Sequence, residues 1–149
     1  MLALNLPGFS PKIIIKEGKR MIFDPIRKKY VALTPEEWVR QHFVNFLVTV
    51  KNVPKELLAN EVQIKLNGTS KRCDTVAYNR FLAPFIIVEY KAPSVTITSA
   101  VFDQIARYNM VLHVDYLIVS NGINHYCCKM DYDNQSYTFF KEIPEYDKL

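Results

Sequence analysis

Apolar and polar positions along the chain switch between two periods, and the switches mark out its elements. Residues 12–16 are a β-branched run, Glu17-Gly18-Lys19 is a turn signal, and residues 20–23 and 30–33 read as two more short strands separated by Asp24-Pro25. Thr34 then occupies the place of a helix N-cap, with Pro35 at the first helical position and Glu37 three residues after the cap. Trp38, Val39, Phe43, Phe46, Leu47 and Val50 recur at helical spacing until Asn52, Val53 and Pro54 end the pattern, and residues 54–58 can add one helical turn.

Residues 61–66 alternate, with Val62, Ile64 and Leu66 apolar, and Asn67-Gly68 is the dipeptide of a two-residue hairpin turn. Residues 72–78 are the next strand. Residues 85–90 are the most apolar strand, hence expected at the sheet centre, and Pro93 stops it. Thr98 can cap a second helix reaching about residue 110, with Val101, Phe102, Ile105 and Tyr108 on one stripe. Residues 116–120 form a buried-type strand, Asn121-Gly122 turns the chain, residues 125–130 and 136–141 are closing strands, and the tail from Pro144 is expected to be loose. The order is α/β: a mixed β-sheet flanked by helices, in one domain. Residues 1–30 are a β-rich extension, 31–130 the core, and 131–149 a closing strand and tail.

Composition narrows the function classes. In 149 residues, 49% hydrophobic and 13% aromatic, there is material for a core without staples. The net charge of +4 is compatible with a polyanionic partner without requiring one. Cys73, Cys127 and Cys128 include no CxxC pair, which argues against structural zinc and for reduced thiols. No signal-peptide pattern or membrane-length apolar run is present, so a soluble, cytoplasmic chain is expected. Asn67-Gly68-Thr69 matches a glycosylation sequon but reads as a turn. His42, His113 and His125 lie on three elements without ligand spacing.

Candidate chemistry concentrates at the end of the central strand. Glu89 and Lys91 are two apart and share a face, with Tyr90 on the other. A symmetric hairpin turn centred between Phe81 and Leu82 sets Asp74 opposite Glu89. Facing carboxylates repel unless a cation lies between them: Lys91 supplies one charge, and Mg²⁺ or Mn²⁺ would supply more. Such an arrangement suits phosphodiester hydrolysis; the same pattern also describes a plain cross-strand salt bridge. On the first helix, Glu37 fits the capping box, whereas Glu36 lies nearer the apolar stripe and can turn toward the metal or serve the helix dipole. On the second helix Gln104 and Tyr108 share a face that either meets the site or packs on the sheet. Lys65, Lys71, Arg72 and Arg80 form a basic group that can hold phosphates or be solvated edge charge.

At these residues the chain resembles the PD-(D/E)XK nuclease superfamily and, more narrowly, the nuclease domain at the N-terminus of type I restriction enzyme R subunits. The segments that carry this are residues 34–41 (TPEEWVRQ), 71–74 (KRCD), 88–93 (VEYKAP) and 102–109 (FDQIARYN), within roughly residues 30–130. The resemblance implies a restriction-endonuclease-like αβββαβ core and Mg²⁺-dependent DNA cleavage. It implies Asp74 and Glu89 as metal ligands, Lys91 as the catalytic lysine, Glu36 (or Glu37) as the helix glutamate, and Gln104 with Tyr108 as a Q…Y helix signature. Lys71, Arg72, Arg80 and Tyr108 are the candidate DNA contacts. The expected partners are DNA, a second copy of the chain, or helicase and methylase subunits. One departure is the lack of any GxxxxGK[ST] loop, so ATP binding of that kind is not expected of these residues.

Overall fold

The computed structural model describes residues 3–149. The β-rich entry is a separate three-stranded antiparallel meander of β1 (Ile13–Lys16), β2 (Lys19–Asp24) and β3 (Lys29–Ala32). Its first turn, Glu17-Gly18, takes positive φ at both residues (53° and 76°), the geometry whose twist matches a two-residue hairpin.

Helix α1 (Pro35–Thr49) begins as the sequence predicts, with Thr34 Oγ1 accepting the Glu37 amide N–H at 3.1 Å. After a single 3-10 turn at Lys55–Leu57, six strands follow in one sheet in simple chain order: β4 (Leu58–Leu66), β5 (Thr69–Tyr78), β6 (Pro84–Tyr90), β7 (Tyr116–Ser120), β8 (His125–Asp131) and β9 (Ser136–Phe139). All neighbours are antiparallel except β6 and β7, which run parallel because α2 (Ser99–Met110) carries the chain between them. Asn67 and Gly68 (φ 46° and 78°) close the β4–β5 hairpin with Leu66 paired to Thr69.

The helices lie on opposite faces of this sheet. Val39, Phe43 and Leu47 of α1 pack with Ile86, Val88 and Tyr90, whereas Phe102 and Ala106 of α2 pack with Ile87, Leu117 and Val119. Central β6 is therefore buried on both faces, which explains its unbroken apolar run. Adjacent Cys127 and Cys128 enter one core each. All three thiols are free and buried, and burial pushes Cys73 up to about 11 and the other two to about 12, leaving them inert. No helix among the described residues is long and apolar enough to cross a membrane.

Five expectations differ. Strand β5 already starts at Thr69, and β9 ends at Phe139. Strand β4 starts three residues earlier than the alternation suggested, because Leu58 and Asn60 are already paired to Ala77 and Thr75. The buried stripe of α2 is Phe102, Ala106 and Asn109, while Tyr108 points outward with 64% of its surface exposed. The tail is docked rather than loose: the Tyr146 side chain is buried, its hydroxyl donates to the Tyr78 carbonyl at 2.7 Å, and its amide donates to the Lys51 carbonyl at 2.9 Å. Tyr146→Ala is expected to cost about 3 kcal/mol and lower the melting temperature, since it deletes a buried aromatic ring. An unchanged thermal transition would mean that the tail contributes nothing to stability.

Candidate active site

The cross-strand ladder between β5 and β6 runs in the register expected for a turn centred between Phe81 and Leu82, with Val76 opposite Ile87 and Thr75 opposite Val88. A register shift at Ala77/Tyr78 is confined to the turn end. One step beyond the last pair, Asp74 comes level with Glu89, and there the ladder stops. The Tyr90 amide N–H donates to Asp74 Oδ2 at 2.8 Å, so a side-chain oxygen takes the place of a backbone carbonyl. Side-chain alternation also breaks here: Thr75 and Ala77 face the α1 side, while Cys73 and Val76, three apart, share the α2-side core. Directly across, Glu61 of β4 adopts φ +56°, a conformation disfavoured for a residue with a side chain. The irregularity spans both strands at Glu61 and Asp74, and β4–β5 pairing resumes in the same register with Val62 opposite Cys73.

Behind Asp74, on the α1 side, lies a buried polar network. Arg40 donates to the Asp74 carbonyl at 2.6 Å, to Glu37 Oε2 at 3.0 Å and to Glu61 Oε1 at 2.7 Å. Glu37 also accepts from Gln41 (2.9 Å) and from Arg27 (2.7 Å), whose guanidinium also pairs with Asp24 of β2. Asp24 accepts from Asn60, Asn60 from Thr75, and Thr75 from the Tyr90 hydroxyl. Burial opposes the Arg40 charge, but Glu37 and Glu61 beside it outweigh that and raise its pKa further. The network fixes the backbone at Asp74 from one side while the Tyr90 amide fixes its carboxylate from the other.

In front, on the α2 side, Lys71, Arg72, Glu89, Lys91, Val101, Gln104, Ile105, Tyr108 and Asn109 line a cleft of about 440 Å³. Glu89 is poorly solvated and lies within hydrogen-bonding reach of the Asp74 carboxylate. Burial, then the Asp74 charge, push its pKa up to about 7 against the pull of Lys71. Lys71 Nζ stands 3.1 Å from Glu89 Oε1. Lys91, just past β6, has no ion pair or side-chain hydrogen bond among the described residues and is an uncommitted cation at the mouth of the cleft. Two carboxylates make up the acid set: among the described residues no group of three or more His, Cys, Asp or Glu side chains is placed to share a metal ion.

The fold thus brings Asp74, Glu89, Lys91, Gln104, Tyr108, Lys71 and Arg72 to one region and leaves two expected residues outside it. Glu36 is exposed on the first turn of α1, and the inward-facing acid is Glu37, engaged with arginines instead of closing the capping box. Arg80 sits at the β5–β6 turn, paired with Asp147 at 3.3 Å, roughly 20 Å from Glu89 along β6. The basic group is split accordingly. Lys71 is a buried partner of Glu89, Arg72 is an exposed partner of Glu61, and Lys65 is exposed near the β4–β5 turn. The histidines stand apart from the cleft: His42 bonds the Trp38 carbonyl, His125 bonds Ser120 and the Asn5 carbonyl, and His113 stacks on Tyr132. Sequence reasoning missed Glu61 and Asn109. Asn109 carried a signal, an amide on the apolar stripe of α2; Glu61 carried none.

The model of the type I restriction enzyme R protein N terminus (HSDR_N) matches residues 35–144. The chain belongs to this family. A solved fragment assigned to the HsdR subunit of a type I restriction enzyme from Vibrio vulnificus YJ016 shares the fold with a TM-score of 0.53 at 18% sequence identity. That match covers 78% of the present chain and 24% of the other, so the present chain spans about a quarter of the length of that fragment. No curated protein matches the chain. The matched residues of the family include α1, both carboxylates, Lys91 and the α2 face of the cleft.

Two outcomes follow. The folded chain keeps a proton on Glu89 at pH values where the unfolded chain, near 4.5, has lost it, so Glu89 makes stability fall as pH rises from about 4.5 to about 7. His42 and His125, held below their usual pKa by burial, act in the opposite sense below about 6.5. The Glu89 contribution is therefore read as a difference. In chelator, Glu89→Gln is expected to melt above the wild type at pH 8, with the gap closing toward pH 5.5. A gap independent of pH would refute the shifted carboxyl. Arg40→Leu, which leaves buried Glu37 with Arg27 as its one remaining cation and removes the donor to Glu61 and the Asp74 carbonyl, is expected to cost about 3 kcal/mol in denaturant unfolding.

Proposed function

We propose that this HsdR N-terminal domain is a divalent-metal-dependent DNA nuclease of PD-(D/E)XK type. The observation that carries the reading is the pair of carboxylates at the end of β6 and the irregular point of β5: Glu89 lines the cleft, Asp74 lies within hydrogen-bonding reach behind it, and Glu89 is pushed up to about 7 by burial and by Asp74. Buried like charges are costly, and this cost is one that a cation between them removes. Hard oxygen donors from two carboxylates, with room for water, suit Mg²⁺ or Mn²⁺. Asp74 and Glu89 would hold the ion. When bound it would polarise a phosphate and lower the pKa of a water.

The chain's own groups supply the rest. The Tyr90 amide and Arg40 fix Asp74, so its carboxylate is held without reorganisation. The uncommitted Lys91 ammonium can hydrogen-bond an attacking water or a non-bridging phosphate oxygen beside the pair. Gln104 and exposed Tyr108 on the opposite wall can position a strand in the cleft, and Arg72 can contact its backbone. DNA is the proposed substrate, and helicase and methylase subunits are the proposed partners, on the strength of the family and of the much greater length of the matched protein.

The test is a panel of plasmid, single-stranded and branched DNA incubated with Mg²⁺ or Mn²⁺ against EDTA. Wild type is expected to cut only with metal, and Lys91→Ala to lose at least about 100-fold in rate, the scale of one transition-state donor. Cutting that survives in Lys91→Ala would place the chemistry elsewhere. Metal-dependent binding of the same DNA without cutting would favour a nucleic-acid-binding module instead.

A further inference from the structure

We propose that Lys71 is a built-in counter-ion that competes with a divalent cation for the Asp74–Glu89 pair and so sets the affinity of the pair for that cation. This inference rests on the metal-binding reading above and concerns a residue that the sequence left open between phosphate contact and solvated edge charge.

A lysine that merely neutralised Glu89 would need only the 3.1 Å contact to Oε1. Lys71 is held by two more. Its ammonium donates to Asn109 Oδ1 at 2.5 Å and lies 3.8 Å from the centre of the Tyr108 ring. Asn109 is buried, and its amide NH₂ donates to the Ile105 carbonyl at 2.8 Å, which leaves its oxygen to face Lys71. One turn of α2 thus presents an acceptor and an aromatic face to the same ammonium. The Lys71 side chain is 6% exposed, so water offers it little alternative. Lys91, by contrast, has no ion pair or side-chain hydrogen bond among the described residues to give up.

The consequence is electrostatic. An incoming cation meets two carboxylates with a fixed positive charge already beside one of them, and that charge cannot leave without giving up Asn109 and Tyr108. Removing it exposes the full attraction of the pair for metal. At a separation of several ångströms in a partly solvated cleft, one unit charge is worth about tenfold or more in affinity.

The experiment is calorimetric titration of the metal-free domain with Mn²⁺ alone and Mg²⁺ alone, for wild type, Lys71→Met and Tyr108→Leu, with circular dichroism to verify folding. Lys71→Met keeps the apolar stem and removes the charge; it is expected to bind Mn²⁺ at least about tenfold more tightly than wild type. Tyr108→Leu, at a site 64% exposed and safe for the fold, loosens the ammonium and is expected to tighten binding by about two- to threefold, on the scale of an exposed cation–π contact. Equal or weaker binding by folded Lys71→Met overturns the counter-ion role while leaving the metal site intact. If Lys71→Met does not fold, unchanged affinity in Tyr108→Leu overturns it. Absence of Mn²⁺ binding in every variant removes the metal site itself, and the counter-ion role with it.

Discussion

Two carboxylates brought level on neighbouring strands repel each other, and much of this domain is arranged around that fact. Burial first, and then this repulsion, raise the pKa of Glu89. The repulsion is contained by Lys71 in front, the Tyr90 amide beside Asp74, and the Arg40–Glu37–Glu61 cluster behind. A sheet built only for stability has no reason to place acids there, because apolar residues at the same positions would pack without any counter-charge. The local features that look irregular, the halted ladder and the positive φ of Glu61, are where the backbone gives way to admit the pair.

The network on the α1 side ties this local arrangement to the whole fold. Asp24 and Arg27 come from the entry meander and its last turn, Glu37 and Arg40 from α1, Asn60 and Glu61 from β4, and Thr75 from β5. Each member satisfies another, as buried polar groups must, and no buried side-chain nitrogen or oxygen among the described residues lacks a partner. The entry meander is therefore a supporting element for the site and not an appendage, even though it forms its own sheet.

How much of this was legible in the sequence depended on how local the cause was. The caps at Thr34 and Thr98, the Asn67-Gly68 turn and the central apolar strand follow from short-range chemistry and stand where the pattern put them. The alignment of Asp74 with Glu89 was also legible, because a short turn fixes the register of a hairpin. What escaped was set by tertiary contact. Glu37 turns inward where Glu36 was expected, because Arg27 and Arg40, from different elements, converge on Glu37. Lys71 looked like a surface base until α2 covered it with Asn109 and Tyr108. Arg80 was grouped with Lys71 and Arg72 as lying across one hairpin, although the length of strand β5 separates them. The docked Tyr146 had no periodic context to reveal it.

The spacing of the contacts along the chain also bears on how the site comes into being. Asp74 and Glu89 belong to adjacent strands of one hairpin, closed by a short turn that Asn79 braces through its side chain. Lys71 reaches Asn109 only across 38 residues, after the chain has passed through β6 and along α2. Short loops close sooner than long ones. The two acids can thus meet while the hairpin is still open to water, where like charges a few ångströms apart repel weakly. The cost rises only as α2 lies down over them, and the helix that takes the water away is the one that fastens the compensating ammonium in place.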